Sequence, residues 1–390
     1  MEHYRRHNII WHIVYPIVFL ITRIRFNYHA RVTPIPKPSV VVSNHCTNWD
    51  PLLVALTIKN HAYFVGSDHV VSGGRVGKLL EWLQAPIARR KGVTASDTAL
   101  TMIRRLRAGY SVALFPEGNR CYNGRTCAIV PSTGKLVKMS RASLVTHRLR
   151  GAYLSSPRWA GDAVHRGYMT GEIVHIYSPE ELKDLTPEQI NDIICADLFE
   201  DAYAGQEDAP VEYRSRRRAE HLERALYLCP RCRGMDTLVS KGSELRCRTC
   251  GLTAEYTTQG YLEGEGLPWH TVYVWDLWQA RELKARTDAA APEDVIARDD
   301  ALTVVRVGSD GEQTLVAENA QITVTRTALS FSGITLPLAE KPGLALVGPQ
   351  TLCVNTDEAH YRIGSEKVRC LRKYFTIVKA VLDPEHMLDV

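Results

Sequence analysis

The sequence has no apolar run of the roughly 20 residues that a spanning helix needs. Its longest, Ile9–Ile21 (IIWHIVYPIVFLI), has thirteen residues, eleven of them apolar, with His12 and Pro16 inside. That excludes an integral membrane bundle. Cysteine is sparse, ten in 390 residues, too few for a disulfide scaffold. A strong excess of one charge is missing too: 48 Lys and Arg against 43 Asp and Glu leave +5, far from a nucleic-acid packaging protein. Such a balance permits a local basic face without demanding one. No internal repeat is evident. With 45% hydrophobic and 23% charged residues, the composition is that of a globular chain and excludes disorder or collagen. The length predicts two or three domains.

The Ile9–Ile21 run is preceded by Arg5 and Arg6 and followed by Arg23 and Arg25. It ends in TRIRFNYH without a small-residue cleavage site, so a secretory signal is not expected. Two readings of it stay open. One is a buried core helix. The other is an interfacial anchor over residues 1–27, apolar body at the headgroup boundary and arginines against anionic phosphates.

Residues 28–205 read as an α/β domain with a mixed sheet flanked by helices. Ser39–Ser43 and Tyr110–Phe115 are buried-strand runs, and Asp50–Ile58 and Thr98–Ala108 have helical spacing. Ser178-Pro179-Glu180-Glu181 and Thr186-Pro187-Glu188-Gln189 each place a cap, a Pro at the first helical position and Glu or Gln two residues later. Residues 203–212 read as a linker. Tyr213–Leu228 reads as a basic helix that opens a second domain, 213–258. A Trp-rich helical connector follows over 265–290, with DAAAP (Asp288–Pro292) as a second linker. Residues 295–385 read as a small, mainly β domain with a closing helix, whose apolar face is Val368, Leu371, Phe375, Val378 and Leu382. Gly308-Ser309-Asp310-Gly311 is the expected hairpin turn.

The chemistry-bearing pattern begins after the first strand, at Asn44-His45-Cys46-Thr47-Asn48-Trp49-Asp50. A His and an Asp five apart across a strand-to-helix loop can meet. The Asp would fix the imidazole tautomer and leave the other ring nitrogen to take a proton from a hydroxyl. Alone, such a pair is common and reads as a surface histidine. Here it is joined by Phe115-Pro116-Glu117-Gly118-Asn119-Arg120 and by an apolar run ending in Arg89-Arg90. Two guanidinium groups on different loops, Arg90 and Arg120, can clamp one phosphate. Glu117 is placed to orient Arg120 or a glycerol backbone.

These blocks, in this order, resemble the glycerolipid acyltransferase superfamily, especially the 1-acylglycerol-3-phosphate acyltransferases. The NHxxxxD block is matched by Asn44, His45 and Asp50. The G-x-I-x-V-x-R block is matched at Arg90, with Gln84 for glycine. The FPEGTR block is matched by Phe115–Arg120, with Asn119 for threonine. The later Val-Pro block corresponds to Leu144–His147, without the proline. The resemblance covers roughly residues 10–200. It implies that His45 is the base and Asp50 its orienting carboxylate. It also implies that Arg90, Glu117, Gly118 and Arg120 contact substrate and that no acyl-enzyme forms; Cys46 is then a buried structural thiol. The implied reaction moves an acyl chain from acyl-CoA or acyl carrier protein to the sn-2 hydroxyl of 1-acylglycerol-3-phosphate, giving phosphatidate for phospholipid biosynthesis. Partners are a lysophospholipid and the membrane surface, with acyl carrier protein as one donor option, at the cytoplasmic face of the cell membrane. The alternatives are another lysophospholipid or membrane-lipid acceptor, or an inactive zinc-ribbon adaptor.

Cys229-Pro230-Arg231-Cys232 and Cys247-Arg248-Thr249-Cys250 are separated by fourteen residues, and Gly234 and Gly251 follow where tight turns need them. Two such knuckles build a closed four-sulfur site, expected to hold one structural zinc ion as a zinc ribbon. Iron in the same cage and a pair of redox dithiols are the rival readings. Arg231, Arg233, Arg246 and Arg248 lie nearby, but no aromatic stacking set accompanies them, so nucleic acid is not an expected partner. The C-terminal β domain resembles a pleckstrin-homology-like module in strand count and closing helix.

Overall fold

The computed structural model describes residues 4–67, 85–89, 96–308, 312–356 and 359–387. The chain divides into two compact units, Met1–Pro157 with Val164–Arg214, and Arg158–Ala163 with Ser215–Val390.

The first unit runs α1 (Tyr4–Phe26), β1 (Tyr28–Ala30), β2 (Ser39–Ser43), α2 (Asp50–Ile58), β3 (Tyr63–Ser67), β4 (Ile87–Arg89), α3 (Ser96–Arg107), β5 (Val112–Leu114), α4 (Ser132–Ser140), β6 (Ser143–Arg150), β7 (Met169–Tyr177), α5 (Pro187–Leu198) and α6 (Ala202–Asp208). The seven strands form one sheet in the order β1-β7-β6-β2-β5-β3-β4. Only β6 and β7 pair antiparallel; the other neighbours are parallel. The expected α/β domain with a mixed sheet is therefore present.

Both faces of the sheet are covered, which is why its central strands read as continuous apolar runs. Side chains alternate along β2. Val40 and Val42 join Val112, Leu144, Met102, Leu106, Val137, Ile190 and Ile194 beneath α3, α4 and α5. Val41 points the other way and packs with Ala113, Val145, and Val54 and Ile58 of α2. Both expected capping boxes form, Ser178 with Glu181 and Thr186 with Gln189.

Two expectations for this unit need correction. The stretch 203–212 is not simply a linker: Ala202–Asp208 is helical, because Asp201 caps it by accepting from the N–H groups of Tyr203 and Ala204. The N-terminal helix is also longer than its apolar run. It spans 23 residues, Tyr4–Phe26, and by length and composition alone could cross a membrane.

The second unit begins with a four-stranded antiparallel sheet, β8 (Leu238–Lys241), β9 (Glu244–Cys247), β10 (Thr253–Tyr256) and β11 (Leu262–Glu263), in the order β11-β10-β9-β8. Helix α7 (Val272–Ala289) leads to seven further strands: β12 (Ala297–Val307), β13 (Gln313–Val324), β14 (Ala328–Phe331), β15 (Ile334–Pro337), β16 (Gly343–Val347), β17 (Thr351–Asn355) and β18 (His360–Gly364). Their order is β15-β14-β13-β12-β18-β17-β16. The hairpin β12–β13 forms as expected; its turn residues Ser309–Gly311 lie outside the described residues. Helix α8 (Arg372–Leu382) closes the unit.

Tyr213–Leu228 is not a helix. It is a run of turns with one 3-10 segment, Leu222–Arg224. His221 takes a left-handed φ of 71°, which stops helix propagation. Ala219, Leu222, Ala225, Leu226, Tyr227 and Leu228 are all buried, a density no amphipathic surface helix allows. The face expected for the closing helix is also shifted. Val368 precedes α8 and Leu382 is exposed, while Tyr374, Ile377 and Val378 are buried. Charged groups are buried here as pairs, as burial requires. Arg372 makes a two-pronged contact with Asp276 at 2.6 and 2.9 Å, and Lys373 meets Asp299 at 2.7 Å.

Candidate active site and candidate metal centre

Strands β2, β5, β3 and β4 run parallel, so their carboxyl ends share one edge of the sheet, where open α/β sheets bind ligands. Chemistry-bearing loops leave from that edge. After β2 the chain enters the His45 loop, and Asp50 is the first residue of α2. Asp50 is fully buried. Its Oδ2 accepts from Nδ1 of His45 at 2.8 Å, from the N–H of Cys46 at 2.6 Å and from the N–H of Thr47 at 2.9 Å; its Oδ1 accepts from the Thr47 hydroxyl at 2.6 Å. Four donors thus hold one carboxylate, and the carboxylate holds the imidazole. With Nδ1 donating, Nε2 is the basic nitrogen. The Phe115 ring stacks on the imidazole at 4.3 Å and 18°, fixing the ring plane. His45 itself is half-buried.

The loop is pinned from two further sides. Asn44 donates to the carbonyl of Leu149 at 2.9 Å and accepts from its N–H at 2.8 Å, fastening the loop to β6. Glu117 accepts from the N–H of His45 through Oε1 at 2.5 Å and from the N–H of Cys127 through Oε2 at 2.7 Å. Burial pushes the Glu117 carboxyl up to about 8; the two backbone N–H bonds oppose this and the Asp50 charge adds to it. Both of its oxygens accept from the backbone of the two loops, a role that the expectation for Glu117, orienting Arg120 or a glycerol backbone, did not include.

Gly118 sits at φ +65°, a conformation that favours glycine, and its N–H closes a turn to the Phe115 carbonyl at 3.1 Å. A Cβ on Gly118 would lie 3.9 Å from a terminal nitrogen of Arg89. Arg89 ends β4, and its buried Nε has no hydrogen-bond partner among the described residues. Arg120 is half-buried in the same loop as Gly118, and the next residue ties that loop to the first, Cys121 N–H donating to the His45 carbonyl at 3.0 Å. Arg90 and Gln84 lie outside the described residues. The sequence names Arg89 only as the first of the basic pair and assigns the phosphate contact to Arg90.

Two other ionisable groups lie close by. The Cys46 thiol is buried against Cys121, Sγ to Sγ 3.6 Å, and its pKa is raised well above the usual thiol value, by the Cys121 contact first and then by burial. It stays protonated, as a structural thiol should. His147, on β6, contacts the Ser43 hydroxyl at 2.9 Å. Burial drives its pKa down to about 3, so it is neutral.

In the second unit the sulfur atoms of Cys229, Cys232, Cys247 and Cys250 lie within 4.8 Å of one another. Cys229 and Cys250 are 3.5 Å apart and Cys232 and Cys247 3.7 Å. A tetrahedral site with Zn–S near 2.3 Å puts its sulfurs about 3.8 Å apart. Each knuckle is braced by its own backbone: Arg233 N–H to the Cys229 carbonyl at 2.9 Å, and Gly251 N–H to the Cys247 carbonyl at 3.1 Å. At Gly234 a Cβ would come 3.3 Å from the Cys232 sulfur and 2.8 Å from Thr237, so the knuckle closes there only around glycine. The cluster can hold a metal ion.

A family model described as Acyltransferase matches residues 25–150. Among solved structures, the chain is similar to the 1-acyl-sn-glycerophosphate acyltransferase of Thermotoga maritima, with a TM-score of 0.40 and 13% identity, over 52% of this chain and 78% of that one. Among curated proteins none matches. The family match spans the loops that bear His45, Asp50, Glu117 and Arg120, and it bears out the resemblance carried by the sequence blocks.

Proposed function

We propose that the protein is an O-acyltransferase that moves an acyl chain from acyl-CoA or acyl carrier protein to the sn-2 hydroxyl of 1-acylglycerol-3-phosphate. The observation that carries this reading is the His45–Asp50 pair at 2.8 Å, with Asp50 buried. Nε2 of His45 takes the proton of the acceptor hydroxyl as its oxygen attacks the thioester carbonyl. The tetrahedral intermediate collapses, the carbon–sulfur bond breaks, and the imidazolium returns the proton to the departing thiolate. Cys46 takes no part, being buried and protonated. Arg120, with Arg89 or its neighbour Arg90, binds the acceptor phosphate; Gly118 lets that group approach the backbone. Glu117 positions the His45 loop.

The four cysteines would hold one structural zinc ion, since a closed thiolate set leaves no open position for catalysis. Helix α1 would lie along the cytoplasmic face of the cell membrane. Trp11, Val18, Thr22 and Phe26 face the domain, whereas Ile9, Ile13, Ile17, Leu20 and Ile24 are each between 51% and 65% exposed. That arrangement suits an interfacial helix better than a spanning one.

The test is acyl transfer from a labelled thioester to a panel of lysolipids with purified protein. His45→Ala should cost about 10²–10⁴-fold in turnover with the fold intact. Wild-type turnover in that variant would refute the mechanism. A preference for an acceptor without a phosphate would favour the second reading, another membrane-lipid acceptor.

A further inference from the structure

Helix α1 meets α2 from end to end. Near its start, Trp11 Nε1 donates to the carbonyl of Lys59, just past the C-terminus of α2, at 2.8 Å. Tyr15 donates to the Leu56 carbonyl at 3.0 Å. At its end, the Phe26 ring packs edge-on against Trp49 at 5.5 Å and 66°, and the Arg25 guanidinium lies 5.6 Å from the centre of the Trp49 ring. Just beyond, Tyr28 donates to the Leu53 carbonyl at 2.9 Å.

Trp49 is the residue before Asp50. Its N–H donates to the Thr47 hydroxyl at 2.9 Å, the same hydroxyl that donates to Asp50. Its carbonyl accepts from Leu52 and Leu53 in the first turn of α2. The Trp49 backbone thus joins the Thr47 hydroxyl, one of the four donors to the Asp50 carboxylate, to the first turn of α2, and its ring is gripped by α1. The opposite face of α1 is the exposed apolar stripe. One helix therefore separates the surface read as lipid-facing from the residue next to the dyad.

We propose that α1 is a working part of the active site, and that Trp49 is a positioning residue through which the seating of α1 sets the His45–Asp50 geometry. This rests on the acyl-transfer reading above. A helix that only anchored the protein would affect access to bilayer-embedded acceptor alone. A helix that grips Trp49 affects turnover on any acceptor, a water-soluble one included.

The experiment uses the full-length protein, its Trp49→Ala, Trp49→Phe and Phe26→Leu variants, and a short-chain 1-acylglycerol-3-phosphate kept monomeric in solution. Trp49→Ala should lower kcat about 10- to 100-fold with KM little changed, and shift the acidic limb of the pH profile. Trp49→Phe should restore most of kcat. Phe26→Leu keeps apolar volume but loses the ring contact, and should show a smaller fall in kcat. Sedimentation with anionic phosphatidylglycerol vesicles should be unchanged in all three. The Nδ1 proton resonance of His45 reports the dyad without any turnover, and should weaken or move in Trp49→Ala. Unchanged kcat and an unchanged His45 resonance in Trp49→Ala and Phe26→Leu would overturn the proposal, as would losses confined to vesicle binding. If Trp49→Ala does not fold, the same readouts on Phe26→Leu and Trp49→Phe decide it. A wild-type protein inert on every acceptor, with the resonance still shifted by Trp49→Ala, would refute the acyl-transfer reading and leave the coupling standing.

Discussion

The backbone N–H of His45 is held by the carboxylate of Glu117, 72 residues away, at 2.5 Å. The same carboxylate takes the N–H of Cys127 at 2.7 Å through its other oxygen. One buried side chain therefore sets the spacing between the loop after β2 and the loop after β5, and its own protonation matters to the fold.

A carboxyl whose pKa is raised on folding holds its proton more tightly in the folded state. The stability it contributes is present at low pH and is lost as pH rises from the ordinary value of 4.5 through about 8. Glutamine at this position cannot titrate, so the melting temperature of Glu117→Gln should fall less than that of the native protein between about pH 5 and about pH 8. Parallel melting curves across that range would show that Glu117 does not carry this proton. The amide also turns an NH2 group toward one of the two N–H donors, so kcat should drop while KM for acceptor holds.

The Arg89 guanidinium reaches the Gly118 turn, and its Nε is buried without a partner among the described residues. A charge-assisted contact to phosphate contributes about 1.5–3 kcal/mol, or about 10- to 100-fold in affinity. Arg89→Ala should raise KM for a phosphate-bearing acceptor by that factor and leave an acceptor without phosphate unaffected. Steady-state kinetics on the matched pair of acceptors decides this. Equal losses on both would mean that Arg89 props the Gly118 turn instead.

The alternation of Val40, Val41 and Val42 between two cores made the central sheet legible, because a strand covered on both faces is written as an unbroken apolar run. The His45–Asp50 contact was legible too, since five residues across a strand-to-helix turn leave the two side chains little freedom to miss each other. The placement of Glu117 was not, because nothing in FPEGNR tells that its carboxylate turns inward to backbone amides. Nor could an adjacent basic pair, Arg89-Arg90, reveal that the Arg89 guanidinium faces the Gly118 turn. Tyr213–Leu228 misled for a different reason. Its arginines suggested a solvated helical face, yet the backbone turns at His221 and Arg218 is drawn to the Tyr256 carbonyl at 2.9 Å and to Glu255 at 2.9 Å.

The four cysteines should bind about one metal ion per chain, because closed thiolate sites bind zinc tightly enough for metal to survive purification. Metal analysis of the purified protein should show zinc, and Cys229→Ser should lose it. The same variant should melt earlier, since Cys229 is fully buried and the knuckle it begins closes the four-sulfur cluster. The His45–Asp50 pair belongs to the other compact unit, so the His45 resonance should persist in Cys229→Ser. Less than about half an equivalent of any transition metal would refute the site.

The exposed stripe of α1 offers the most direct test of membrane contact. Ile13 and Ile17 lie one turn apart, in the middle of that stripe and away from the residues that grip α2. Burying an isoleucine at an interface contributes about 1.5–3 kcal/mol, and each arginine near anionic lipid adds about 1 kcal/mol. Replacing both isoleucines by aspartate removes the apolar gain and sets two negative charges against an anionic surface, while the buried face of the helix is untouched. The Ile13→Asp/Ile17→Asp protein should therefore fold with an unchanged melting temperature yet fail to sediment with phosphatidylglycerol vesicles. Neutral phosphatidylcholine vesicles should bind the native protein more weakly, and raised salt should weaken its binding to the anionic ones, because the arginine share of the attraction is screened. If the double variant still sediments fully, α1 is a scaffold helix alone and lipid meets the protein elsewhere.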